Sequence, residues 1–371
     1  MDTKRKGTTG AGPTSLDGPL KPLQRFLCRP CGRSFTTGRK ISRPRARFAD
    51  DVILEAVRLY VQGLSSYRIL AALLEQRLGR PVSRFTLNTW VDDIGSKAKT
   101  ALEVSAELAP SWGGFLGVDG KAIWVAGEEA CLLVGVDHPT QDIVHALVAE
   151  KEGGEEFATL VTEAVLDARY PLKGLVTDYG PGFVTAHHDH FPVVPLQLCR
   201  VHADRRLDQA IPKAKRTDRA ALNAELKDRV RSVLYASSLE EACRRFYGLV
   251  DERARFAGAG PWDTIGWLQS HFGLYTAHHF TPGLPADTNV VENVIKQLGK
   301  KLRLMEGFSS PASAERFCRL LVACYRFKRF TDSCRVEGNG RAPLETAGVD
   351  LGSCDWLSFL LDRKRRRTHS T

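Results

Sequence analysis

The spacing of apolar residues changes character twice along the chain. Between residues 50 and 95 it is helical: Ile53, Ala56, Val57, Tyr60 and Val61 share one face, then Tyr67, Leu70, Ala71, Leu74 and Leu78 share another. After the turn "GRPVS", Ser83 is placed to cap a third helix, with Leu87, Trp90, Val91 and Ile94 inward and Arg84, Asn88 and Thr89 outward. From Phe115 the spacing becomes that of strands. "FLGVDGKAIWV", "CLLVGVD" and "DIVHALVA" predict an antiparallel meander, "GGEEFATLVTEAVLDARY" an amphipathic helix, and "LKGLVTD" a fourth strand. "PGFVTAHHDHF" reads as a short helix or loop and "PVVPLQLC" as a fifth strand. Residues 203–275 return to helical spacing, and a last helical region runs from Thr288 to about Phe330 with a break at "EGFSSP". The fold class is therefore α/β, a mixed sheet flanked by helices and preceded by a small all-α domain.

Three short helices, the last with a polar outer face, have the pattern of a helix-turn-helix over 50–95; a packing domain without a nucleic-acid role is the plainer alternative. Charge favours the first. The chain carries 53 Lys and Arg against 43 Asp and Glu, a net +10. The excess is concentrated in Arg39, Lys40, Arg43, Arg45 and Arg47, and again from Arg363 to Arg367. Double-stranded DNA is the partner this implies, with Arg43, Arg45 and Arg47 gripping phosphates or the minor groove and Arg84 and Asn88 facing outward on the helix that would enter the major groove.

Residues 1–22, rich in Gly, Thr, Lys and Pro, are expected to be disordered, and 39–49 to form a basic linker. Between them, "FLCRPCGRSFTT" places Cys28 and Cys31 in a C-x-x-C turn before Gly32, the shape of one zinc-ribbon knuckle over 23–38. A structural zinc site needs four ligands, so zinc here stands beside the reading of a truncated remnant. The nine cysteines lack disulfide-like spacing and read as reduced thiols. With no signal peptide and no apolar run long enough to span a membrane, the expectation is a soluble, cytoplasmic protein, nucleoid-associated when on DNA.

Three carboxylates stand out by position. Asp119 interrupts the first strand in "GVDGK", Asp178 ends the fourth, and Glu292 in "TNVVENVIKQLGKKLR" lies beside the apolar stripe of Val291, Val294, Ile295, Leu298 and Leu302. If the first and fourth strands are neighbours and the helix crosses their ends, the three acids converge. Buried carboxylates without counter-charge repel, and hard oxygen ligands suit Mg²⁺ or Mn²⁺, two ions being the arrangement used for phosphoryl transfer. Each acid also has a local reading: Asp119 in a strand turn, Asp178 as a helix cap, Glu292 as the capping-box partner of Asn289. Lys296, Lys300, Lys301 and Arg303 follow Glu292 and are expected on the DNA backbone.

These blocks resemble the DDE transposases with an RNase H-like core, specifically the Mutator-like group and its bacterial and archaeal insertion-sequence relatives. "GVDGK" and "LVTDYGPGF" are similar to the two Asp blocks. "LCRVHADR" is similar to the C-x-x-H signature, giving Cys199 and His202, and "TNVVENVIKQLGKKLRLMEGFSSPASAERF" to the Glu block. "APLETAGVDLGSCDWLSFL" resembles the tail of such proteins. The resemblance implies Asp119, Asp178 and Glu292 as a metal-binding catalytic triad. It divides the core into 112–202 and 276–335 around a helical insertion at 203–275, with a tail at 336–371. It implies binding to terminal inverted repeats, metal-dependent strand cleavage and transfer, and at least a dimer on DNA. Cys199 and His202 read as structural supports, a zinc site there wanting more ligands. The rivals are a catalytically inactive DNA-binding relic or regulator derived from a transposase, and a stand-alone RNase H-like nuclease.

Overall fold

The computed structural model describes residues 3–8, 13–20, 24–36, 47–211, 218–257, 263–331 and 338–362. They fall into two compact units, one drawn from 1–98, 303–306 and 355–371, the other from 99–302 and 307–354. Among the described residues no helix is long and apolar enough to cross a membrane.

In the first unit, β1 (Thr3–Thr8) pairs with β4 (Gln24–Cys28), which pairs with β5 (Ser34–Thr36), while β2 (Thr14–Ser15) and β3 (Gly18–Pro19) make a small hairpin. The expectation of disorder over 1–22 is thus corrected for 3–8 and 13–20; the remaining residues there lie outside the described ones. Composition misled because the bonds holding this stretch come from elsewhere. Asp51 accepts from the Ser15 hydroxyl and from the Leu16 N–H at 3.1 Å, and Arg80 donates to Thr14 Oγ1 at 3.0 Å. Polar side chains that would keep an isolated peptide solvated serve here as hydrogen-bond partners.

Three helices follow: α1 (Asp50–Gln62), α2 (Tyr67–Leu78) and α3 (Arg84–Lys97). Their starts follow side-chain caps where the sequence supplies them. Ser66 accepts from the Ile69 N–H and Ser83 from the Thr86 N–H, and Gly79 takes the left-handed conformation that stops α2. The expected apolar stripes of α1 and α3 are buried, Val57 and Leu87 almost completely.

The second unit begins with α4 (Ala101–Leu108), closed by a capping box between Thr100 and Glu103. Next come β6 (Phe115–Val125), β7 (Glu128–Asp137), β8 (Ile143–Ala149), α5 (Gly154–Leu166), β9 (Gly174–Thr177), α6 (Pro181–His190) and β10 (Leu196–Leu198). They build one mixed sheet in the order β10-β9-β6-β7-β8. β6, β7 and β8 form the antiparallel meander, and β9 and β10 join β6 in parallel. One core, centred on Leu116, Leu133, Phe157, Leu160 and Leu175, holds α5 and α6 against the sheet.

Helices α7 (Arg200–Ala210), α8 (Asp218–Leu234), α9 (Leu239–Asp251) and α10 (Thr264–Phe280) share a separate core of Leu207, Leu226, Val230, Phe246, Leu249 and Leu268. The chain then returns to the sheet with α11 (Asn289–Leu302) and α12 (Pro311–Phe327). The observed α/β class is a five-stranded mixed sheet flanked by helices.

Candidate active site

The register of the parallel strands decides where the acids meet. Val118 on β6 pairs with Thr177 on β9, and Thr177 with Leu198 on β10. That is the last rung the three strands share. The next residues are Asp119, Asp178 and Cys199, so two carboxylates and a thiol leave neighbouring strands at one level, at the carboxyl end of the parallel strands. Cys199 keeps the rung tight, its N–H donating to the Thr177 carbonyl at 2.8 Å.

Helix α11 brings the third acid. It packs on β6 and β7, and the close approach needs Gly117, where an added Cβ would lie 2.3 Å from Val291 Cγ2. Glu292 follows Val291 in the first turn of the helix. Its start is tied to the sheet by Thr288, fully buried, whose N–H points at Cys199 Sγ at 3.3 Å, and by the Arg200 N–H donating to the Ala286 carbonyl at 3.3 Å. Cys199 and His202, the latter with Nδ1 3.4 Å from Thr288 Oγ1, both lie against the residue that precedes this helix.

Burial pushes the Asp119 carboxyl up to about 7, and the charge of Asp178 adds to this; a hydrogen bond of 2.8 Å from the Gly120 N–H works the other way. Asp178 is raised too, first by burial and also by Glu292, against the cations His202 and Arg206. Asp119 thus feels the charge of Asp178, and Asp178 that of Glu292. His202 is lifted to about 8 by its hydrogen bond with Cys199 and by the charges of Glu292 and Asp178, so it is cationic near neutral pH. Burial raises the Cys199 thiol, but hydrogen bonds with His202 and Thr288 outweigh it and leave it lowered.

Glu292 Oε2 accepts from both terminal nitrogens of Arg205, at 3.2 and 3.1 Å. Its Oε1 lies 3.5 Å from Thr288 Oγ1 and 3.8 Å from His202 Nδ1. Cys199, His202 and Glu292 together offer a thiol, a ring nitrogen and a carboxylate oxygen within 4.8 Å of one another. The local readings fare unequally. Helix α6 starts through Gly180 with no side-chain cap, so Asp178 is not its cap. Asp119 does accept from its neighbour Gly120, while the described bonds of Glu292 run to Arg205 and Thr288 rather than back to a helix N–H.

Several residues here carry no obvious mark in the sequence. Glu152, in the loop before α5, brings its carboxyl end over Gly120, where an added Cβ would meet it at 2.5 Å; loss of hydration and then Asp178 raise it. Arg206 sets its guanidinium 4.4 Å from the ring of Tyr179, next to Asp178. Arg205 and Arg206 stand three and four residues beyond His202, a spacing that puts all three on one side of α7 once the start of that helix is known.

The DNA-facing candidates are distributed as follows. Arg84 and Asn88 are exposed on α3, with Phe85 beside them 80% exposed, and Arg47 is exposed against the ring of Phe48. Arg43, Arg45 and the basic run from Arg363 to Arg367 lie outside the described residues. Lys296, Lys300 and Arg303 are exposed, but Lys301 is buried, which corrects its expected place on a DNA backbone. Lys301 sits three residues from Leu298 and seven from Val294, on the apolar side of α11, and burial lowers its ammonium to about 8. Cys28 and Cys31 occupy the hairpin between β4 and β5, turned by Gly32 at φ +68°; the described residues bring no third metal-ligating side chain to them.

Residues 30–329 match the sequence profile of the family described as "Transposase, Mutator family". The chain belongs to the Mutator family of transposases. In this transposase the matched span takes in α1–α3, the whole five-stranded sheet and both helices that return to it. No curated protein matches the chain.

Proposed function

We propose that this Mutator-family transposase belongs to an insertion sequence, binds its terminal inverted repeats, and cleaves and joins DNA strands at Asp119, Asp178 and Glu292 on an RNase H-like core. The carrying observation is the shared rung: Asp119 and Asp178 leave adjacent parallel strands together, both raised, with Glu292 delivered beside them on α11.

The donor set fits divalent cations. Two half-buried carboxylates that repel each other are stabilised by a cation between them, and oxygen donors suit Mg²⁺ or Mn²⁺. When bound, two such ions would activate the attacking oxygen and stabilise the leaving one. The protein supplies position and charge. Asp119 and Asp178 would hold the ions from two neighbouring strands inside the sheet, Glu292 would complete the set, and cationic His202 and Arg206 would surround the place where a phosphate would sit. In the other unit α3 would read base edges through Arg84 and Asn88 as the last helix of a helix-turn-helix, while Lys296, Lys300 and Arg303 grip backbone phosphates. Two element ends must be held together, so a dimer or larger assembly forms on DNA in the cytoplasm.

A second reading rests on the Cys199, His202 and Glu292 donors, which suit Zn²⁺ better than Mg²⁺ and would draw Glu292 away from the acid pair. Metal analysis of the purified protein separates the two: one zinc per chain, lost in Cys199→Ser, supports the second. The central test is cleavage and joining of a labelled duplex carrying the flanking repeat, with Mg²⁺ or Mn²⁺, for the wild type and Asp178→Asn. Metal-dependent products absent from the variant support the proposal. Equal binding without cutting by either protein would make the chain a DNA-binding relic.

A further inference from the structure

Arg205 occupies the oxygen that the proposed metal site needs. Both of its terminal nitrogens converge on Glu292 Oε2, and Nη1 also lies 3.3 Å from His202 Nε2. The other carboxylate oxygen is turned towards Thr288 and His202. Glu292 is therefore compensated within its own surroundings, whereas Asp119 and Asp178 retain their mutual repulsion. For Glu292 to share a cation with the two aspartates, Arg205 must release Oε2.

The pair is built to be exchanged. Arg205 has 54% of its side chain exposed, so solvent screens the ion pair and little is lost when it opens. A planar guanidinium binds a phosphate through two parallel hydrogen bonds at least as well as it binds a carboxylate. Neighbouring Arg206 is engaged differently, its guanidinium stacked on Tyr179, so the two arginines are not equivalent. Of these two arginines, it is Arg205 that is paired with the third carboxylate.

We infer that Arg205 is a positioning residue that passes from Glu292 to a phosphate of the bound DNA, so that DNA binding frees Glu292 for the divalent ion. The inference rests on the metal-site reading of Glu292 given above. Because the exchange is an equilibrium, it works in both directions: DNA tightens metal binding and metal tightens DNA binding by the same factor. Without DNA the acid pair holds a cation weakly, and the completed three-carboxylate site forms only where a strand is present to receive Arg205.

The test measures Mn²⁺ affinity from the electron paramagnetic resonance signal of free Mn²⁺, with and without a duplex of the sequence flanking the gene, for wild type, Arg205→Gln and Arg205→Lys. The wild type is expected to bind Mn²⁺ more tightly with DNA, by a factor within about 5–150. Arg205→Gln should bind Mn²⁺ several-fold more tightly than wild type without DNA and lose most of the DNA-induced gain. Arg205→Lys, a point charge without the fork, should fall between. Equal affinities and equal gains in wild type and Arg205→Gln overturn the inference, as does weaker Mn²⁺ binding by Arg205→Gln without DNA. Absence of Mn²⁺ binding in all three proteins, with or without DNA, overturns the metal-site reading itself and this inference with it. Melting curves of the three proteins, expected to coincide, show that the differences are not ones of folding.

Discussion

The sheet of the larger unit holds two pairs of acids, and they are treated in opposite ways. Immediately before β8, Asp142 takes two hydrogen bonds of 2.8 Å from Arg326 and one of 3.0 Å from the Trp112 indole. Arg326 spends its other donors on the Ala101 carbonyl at 2.9 Å and Ser105 Oγ at 3.0 Å. Asp137 accepts from the Gly113 and Gly114 N–H groups, from Thr140 and from the Tyr170 hydroxyl at 2.6 Å. Both acids are fully buried, and the surrounding donors account for that burial. Asp119 and Asp178 are only half-buried, yet their neighbours include other acids and their carboxyls are raised. Burial alone does not mark a functional carboxylate; a shortage of donors beside a surplus of acids does.

The strongest way to sharpen this contrast is Asp178→Asn, expected to lower strand cleavage by about 10³-fold or more while the protein stays folded, the scale of losing one preorganised charge-stabilising group. A gel assay with a parallel melting curve checks both halves. The reverse result is expected at the other pair: Asp142→Ala leaves the Arg326 guanidinium buried without its partner. Urea unfolding should show a loss of about 3–5 kcal/mol.

A gentler change bears on how Glu292 is placed. Gly117→Ala forces a Cβ against Val291, so stability should fall by about 1–3 kcal/mol. Cleavage should fall further than that destabilisation explains, because Glu292 moves with the helix. Mn²⁺ titration of the purified variant would register the displaced ligand directly.

Acidity probes the proposed site directly. Between the ordinary carboxylate value of 3.8 and about 7, folded Asp119 keeps a proton that the unfolded chain releases. The folded state then binds more protons, and the metal-free protein should lose stability as pH rises through that window. Thermal melts from pH 4 to 7 in a chelator should show this decline in the wild type, a weaker one in Asp119→Asn, and less of it when Mg²⁺ replaces the proton. The smallest effect concerns two lysines of one helix. Exposed Lys296→Ala should reduce the salt dependence of DNA binding by about one phosphate contact, and buried Lys301→Met should leave that slope unchanged.

How far the sequence disclosed all this depended on whether a feature is local. The meander, the strand that stops at Asp178 and the cap at Ser83 follow from period and turn residues, which act within a few positions. The acids could be named because each breaks a local pattern. Glu152 and Arg205 could not, since each sits in a run of charge that looks like any solvated surface and gains its meaning from a distant partner, Gly120 or Glu292. Lys301 was misplaced for a related reason: its helix buries a wider stripe near its end than the valines and leucines alone indicate. The structured N-terminal stretch depends on Asp51 and Arg80, which no reading of its own composition includes.

The tie between Cys199 and Thr288 also has a consequence in time. During synthesis the helices α1–α3 and the acid pair leave the ribosome well before Glu292, which is separated from Asp178 by the whole of α7–α10. At about 5–20 residues per second, the interval is on the order of ten seconds. Throughout it the nascent chain carries the α3 face proposed to read bases but lacks the third carboxylate and the Lys296, Lys300 and Arg303 cations that follow it, and any product that ends early is fixed in that condition, with the proposed base-reading helix and no completed acid set.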